Sequence, residues 1–248
     1  MKIAVCLSGH MRTYKETVDS LHENLLKPLA GKDEYDIFIY TCQQNDMSVS
    51  CLKNPENSEV KPVMLSEEDT KEIMKCYRPK KIVFENKFDS TGLGRQPMLR
   101  RIGMCDKLRL LHEEETGKKY DLVIRARPDT FFLEKFESLD LRNDEIMFFT
   151  YGRHHGGYYD GFAIGSGEVI KKYSEFYLHS EKIRIQQEGH GQYIKVEKAL
   201  KAYIDSLNLQ VSYVDKATYT LRSWGQKYAF FDQSPITFKS MLVQNQSL

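Results

Sequence analysis

The sequence predicts a single α/β domain with a mixed, mainly parallel sheet flanked by helices, and three observations predict it. Short apolar runs rich in β-branched residues, such as 3–7 (IAVCL), 35–40 (YDIFIY) and 122–124 (LVI), alternate with longer segments of helical periodicity. These runs are continuous rather than apolar at every second position, the pattern of strands covered on both faces. A chain of 248 residues with 41% hydrophobic content buries a substantial core, and α/β folds of this length are often one domain.

Residues 3–7 form the first strand and Ser8-Gly9-His10-Met11 a turn. Thr13 with Glu16 reads as a capping box opening a helix whose apolar face is Tyr14, Val18, Leu21 and Leu25, and Pro28 closes it. The turn lies at the carboxyl edge of the sheet, where open α/β folds bind ligands. Gly9 would let the backbone approach a ligand, and the helix start offers N–H groups to an anion, with Arg12 beside it. The competing reading is an ordinary turn in which Ser8 and Gly9 satisfy local geometry, and His10 alone reads as structural.

Residues 35–40 are the second strand, and 42–62 form a polar loop or insertion. Ser66 with Asp69 caps a helix to about Tyr77, which Arg78-Pro79 ends before a strand at 81–84. After a polar loop at 86–96, Pro97 opens a long helix with Met98, Ile102, Cys105 and Leu108 on one face and Gly117 at its end. Its other side is basic: Arg95, Arg100, Arg101, Lys107 and Arg109. These cations either pair with Glu113, Glu114 and Glu115 on a solvated face or, near the helix start, reach a nucleotide diphosphate.

The central stretch 120–132 (YDLVIRARPDTFF) runs an apolar strand directly into charge. Arg125, Arg127 and Asp129 fall at every second position, and Pro128 should stop regular pairing. One carboxylate among guanidinium groups suits a divalent ion and phosphate oxygens better than a core, and a structural ion pair with Arg125 or Arg127 is the alternative. Beyond it, 145–150 reads as a strand and 151–159 as an aromatic loop where Tyr158 or Tyr159 could stack on a sugar. Asp160 precedes a buried-looking strand at 162–164, and Ser166 caps a helix to about His179. A connection with Gly189, His190 and Gly191 leads to a helix carrying Tyr193, Val196, Leu200, Tyr203 and Leu207, with Glu197 beside its apolar face. Short strands at 209–214 and 219–221 follow.

A formal net charge of +1 gives no overall case for nucleic acid or an anionic membrane, and no apolar stretch is long enough to span a bilayer. A non-secreted, cytoplasmic protein is expected. Five cysteines without metal spacing read as reduced thiols, with Cys6, Cys76 and Cys105 unpaired and buried. Walker loops, zinc spacings, nucleophile elbows and kinase signatures are all missing from the sequence.

Tyr-Asp, an apolar strand and Arg-Pro-Asp-Thr-Phe-Phe resemble the metal-binding segment of GT-A glycosyltransferases, whose fold is Rossmann-like. Asp129 matches the last acid of their "DxD" motif, while Arg127 stands where the first acid would be. Residues 2–14 (KIAVCLSGHMRTY), 35–41 (YDIFIYT) and 160–166 (DGFAIGS) further resemble a little-characterised glycosyltransferase group with an SG-x-x-R start and an R-x-R-P-D centre. The resemblance implies transfer of a sugar from a nucleotide-diphosphate donor, a UDP-sugar first among them, to the hydroxyl of a glycan or other acceptor. It implies Mn²⁺ or Mg²⁺ on Asp129 and fits donor contacts from Ser8, Gly9, Arg12, Arg125 and Arg127, to which position near the helix start adds Arg100 and Arg101. Asp160 is the expected base, with Glu197 behind it. A non-catalytic nucleotide-sugar or glycan-binding module is the alternative, favoured by Arg127 in the place of an acid.

Overall fold

The computed structural model describes residues 1–31, 34–46, 63–86, 96–137, 139–150, 156–188, 195–216, 218–221 and 227–230. Strands β1 (Ile3–Ser8), β2 (Tyr35–Cys42), β5 (Lys81–Glu85), β6 (Leu122–Ala126), β8 (Glu145–Phe149), β9 (Phe162–Gly165) and β10 (Gln210–Val214) build one sheet in the order β10-β8-β9-β6-β1-β2-β5. The remaining strands pair in two small sheets. β3 (Gln44–Asp46) meets β4 (Val63–Met64), and β7 (Thr130–Phe132) and β12 (Lys227–Phe230) flank β11 (Thr218–Leu221). Within the large sheet β1 runs parallel to β2 and β6, β2 to β5, and β8 to β10. Only β9 is antiparallel to its neighbours β6 and β8. The chain passes from β8 to β9 without a crossover helix among the described residues, and a parallel neighbour requires such a crossover.

Every residue of β1 is buried, and alternate positions serve two cores. Ile3, Val5 and Leu7, with Ile37, Ile39, Ile124 and Ala126, face α1 (Tyr14–Ser20), the π-helical turn Leu21–Leu26, α2 (Lys27–Ala30) and α3 (Glu67–Tyr77). Ala4, Cys6, Phe38, Val123 and Ala163 face α4 (Gln96–Thr116), α5 (Gly167–Ser174), α6 (Phe176–Glu188) and α7 (Val196–Ser206). Helices therefore cover both faces, as the continuous apolar strands require.

Ser66 and Asp69 form the expected capping box on α3, and Arg78 ends that helix in the left-handed region at φ 44°. Thr13 and Glu16 do not form one. The Thr13 hydroxyl instead donates to the Leu221 carbonyl at 3.0 Å, a partner 208 positions away. Nor does Pro28 end the first helix, which continues to Ala30 and stops at Gly31, φ 60°. Proline lacks the N–H that would bond the carbonyl of Asn24, but the Phe136 N–H takes that carbonyl at 2.7 Å. The helix capped by Ser166 breaks at Glu175 and resumes as α6, past the expected end. Thiols at Cys6, Cys42 and Cys105 are buried and unpaired, whereas Cys76 is unpaired but only partly buried. Cys51, most of the 42–62 loop, the Gly189–Gly191 connection and Arg95 lie outside the described residues.

Candidate active site

β6 ends at Ala126 because Pro128 removes a ladder donor, and the chain then folds into a tight turn closed by Thr130 N–H to Arg127 carbonyl at 3.2 Å. The Thr17 hydroxyl donates to the Pro128 carbonyl at 2.5 Å, and Leu221 N–H donates to the Asp129 carbonyl at 2.9 Å. Helix α1 and strand β11 thus hold the turn from opposite sides. Gly9, at φ 135°, lets the end of β1 lie against it: a Cβ there would stand 3.6 Å from the Pro128 Cδ.

Asp129 is 1% exposed, and its carboxylate is gripped by arginine. Arg127 donates Nε to Oδ1 and Nη2 to Oδ2, both at 2.7 Å, and Arg12 Nε lies 3.2 Å from Oδ2. The charge of Asp129, together with its hydrogen bonds, outweighs burial and holds Arg127 above the ordinary guanidinium range. This donor set does not fit a divalent cation. Mg²⁺ and Mn²⁺ need carboxylate oxygens turned toward them, and those of Asp129 face guanidinium groups that would repel the ion.

Arg125 lies one residue before the end of β6, in register with Cys6 of β1 and Ala163 of β9. The alternation of the strand turns it toward the α4 side. Its side chain is 1% exposed and donates Nη2 to the Ser8 hydroxyl at 3.4 Å, while Nε and Nη1 meet no acceptor among the described residues.

Asp160 precedes β9, and its carboxyl group titrates above the ordinary Asp range. Burial raises it, Arg125 and Arg127 pull it down, and Glu197 pushes it up again. These four side chains therefore share one electrostatic neighbourhood. Tyr173 donates its hydroxyl to the Asp160 carbonyl at 3.2 Å, and a small pocket lined by Leu99, Ile102, Tyr173, Phe176 and Leu200 reaches Asp160. Glu197 sits in the first turn of α7, where its carbonyl accepts the Tyr158 N–H at 3.0 Å.

Arg100 and Arg101 stand apart from this group, both paired with Glu85 at the end of β5. Arg100 is about half exposed, its side chain at 51%, whereas that of Arg101 is 4% exposed. Arg101 Nε lies 3.1 Å from Glu85, and its Nη2 has no acceptor among the described residues. Arg109, by contrast, is core: Asp106, Glu113 and the Gly167 carbonyl take its donors.

One further assignment changes with the structure and one residue is added. Tyr158 is no sugar platform, since it is buried, its ring stacked on Phe148 at 4.9 Å and its hydroxyl donating to Asp205. Glu85, which no motif marks, orients the two α4 arginines. His10, read as structural, lies between the two groups of cations. Burial and then the charge of Arg12 lower its pKa to about 4, with Arg101 and Arg127 acting in the same direction. Its Nδ1 is 2.9 Å from the Gln44 carbonyl and so carries the proton of the neutral ring.

The fold and these side chains define an α/β protein with an arginine-rich site at the carboxyl edge of its central strands. The family described as a domain of unknown function, DUF7796, matches residues 1–227, and the chain belongs to it. No curated protein gives a match. Among the described residues, no helix is long and apolar enough to cross a membrane.

Proposed function

We propose that the protein is a glycosyltransferase, moving a sugar from a nucleotide-diphosphate donor to an acceptor hydroxyl in glycan or polysaccharide synthesis. The buried Arg125 fork carries this reading. A buried donor without an acceptor costs about 1–3 kcal/mol, and more when charged, so a guanidinium left this way beside Ser8 and Gly9 is built for an anionic ligand. Diphosphate oxygens match its planar geometry.

Asp160 supplies the second element. A carboxyl raised by burial suits a general base working near neutral pH. It takes the proton of the acceptor hydroxyl, whose oxygen attacks the anomeric carbon. The sugar–phosphate C–O bond then breaks, and the nucleoside diphosphate leaves with the bonding electrons against arginine. Glu197, close enough to perturb Asp160, is the second candidate for that proton. The free thiols of the described cysteines suit a reducing, cytoplasmic setting.

Incubation with a panel of nucleotide sugars, UDP-sugars first, and measurement of released nucleoside diphosphate tests the reading. Release that is lost in Asp160→Asn supports it. A second reading, a nucleotide-sugar or glycan-binding module, draws on Arg127 occupying Asp129, and it predicts a rise in melting temperature with these ligands but no release.

A further inference from the structure

Building on the transferase reading, we infer that the negative charge of the donor diphosphate is neutralised by Arg125 and Arg101 of this chain, with no divalent cation required. Three observations carry the inference.

The carboxylate that would hold a cation is committed elsewhere. Asp129 is 1% exposed, with Arg127 on both oxygens and Arg12 on one of them. Placing a divalent ion there would require those guanidinium groups to leave a buried carboxylate and to stand beside the ion.

Among the described residues, two arginines also keep buried donors without an acceptor. Arg125 offers Nε and Nη1, and Arg101 offers Nη2, each from a residue more than nine-tenths buried. Their remaining contacts fix the direction of each fork, since Ser8 holds Arg125 and Glu85 holds Arg101. The buried guanidinium of Arg109, by contrast, is matched by three acceptors. The open guanidinium donors of Arg125 and Arg101 both stand at the carboxyl edge.

The two forks also come from opposite sides of β1. Arg125 belongs to β6, adjacent to β1, while Arg101 reaches the end of β5, which pairs with β2 on the other side of β1. His10, in the turn after β1, is lowered by the charges of both Arg101 and Arg127. An anion against Ser8 and Gly9 would therefore lie between cations from both sides. Because His10 is neutral, the positive charge there belongs to the arginines.

Calorimetric titration of the whole chain with UDP, in EDTA and again in Mn²⁺, tests the inference. The expected result is the same affinity in both, weakened about tenfold to hundredfold by Arg125→Met and by Arg101→Met. Arg125→Lys keeps the charge without the fork and should also weaken binding, and circular dichroism of each variant separates lost contact from lost fold. Binding that appears only with Mn²⁺ would overturn the inference and leave the transferase reading in place. An absence of UDP, GDP and ADP binding in both buffers would overturn both.

Discussion

Arg127 and Asp129, two positions apart, are joined by two parallel hydrogen bonds of 2.7 Å across a turn that Pro128 makes possible. The pair is buried, and Arg12 adds a second cation. Removing one partner of such a cluster leaves the others charged and unmatched, which costs about 3–5 kcal/mol.

Asp129→Asn should therefore lower stability by roughly that amount, because a neutral amide cannot answer two guanidinium groups. Urea unfolding measures it. A variant as stable as the parent would show that the ion pair contributes nothing to the fold.

Asp160→Asn should do the reverse. Burial holds the Asp160 carboxyl above its ordinary 3.8, so its ionisation at neutral pH opposes folding. The neutral amide should raise the melting temperature at pH 7, with a gain that shrinks as the pH falls and the native carboxyl takes up its proton. Transfer should be lost in the same variant. A lower melting temperature at pH 7 would mean that Asp160 mainly anchors Arg125 and Arg127.

His10 gives a second pH signature. Its native pKa of about 4 lies below the ordinary 6.5, so in that window the unfolded chain binds the extra proton. Stability from this group is complete above pH 6.5 and is lost as the pH falls toward 4. Melting temperature against pH should flatten in His10→Gln over that interval, and an unchanged slope would assign the acid loss to other groups.

Gly157 packs directly on the start of α7. A Cβ there would fall 2.1 Å from the Glu197 carbonyl carbon and 2.5 Å from the Lys198 nitrogen. Gly157→Ala should cost about 1–3 kcal/mol and, by moving Glu197 and the segment before Asp160, depress transfer. Thermal melts and the release assay read the two effects separately.

The strands and their two-sided burial were legible because an apolar run such as IAVCL has no solvent face to give away its orientation, and that ambiguity is itself the signal. Ser66 was equally legible, since both halves of its capping box lie within four residues. What stayed hidden depends on distant partners. Thr13 carries the same local signature as Ser66, yet its hydroxyl is claimed by Leu221. Pro28 reads as a stop only while the Phe136 N–H that relieves it is unknown. At the site, alternation placed Arg125 on the α4 side, but it could not say that the chain would turn after Ala126 and set Arg127 onto Asp129 while Arg125 stayed open. That choice is made by Ser8, the turn at Pro128 and the hydroxyl of Thr17.

The bond from Thr13 to Leu221 also sets an order of events in time. The turn bearing Asp129 is braced on one side by α1 and on the other by β11, so residues near both ends of the sequence must meet before it is secured. Closing a loop of about two hundred residues is entropically slow compared with forming any of the βα units. During synthesis β1, β2, β5 and β6 can assemble as they emerge, but the brace that β11 lays on the Asp129 turn closes only after residue 221 has left the ribosome. The site is thus among the last parts of the fold to be secured, together with the edge strand β10.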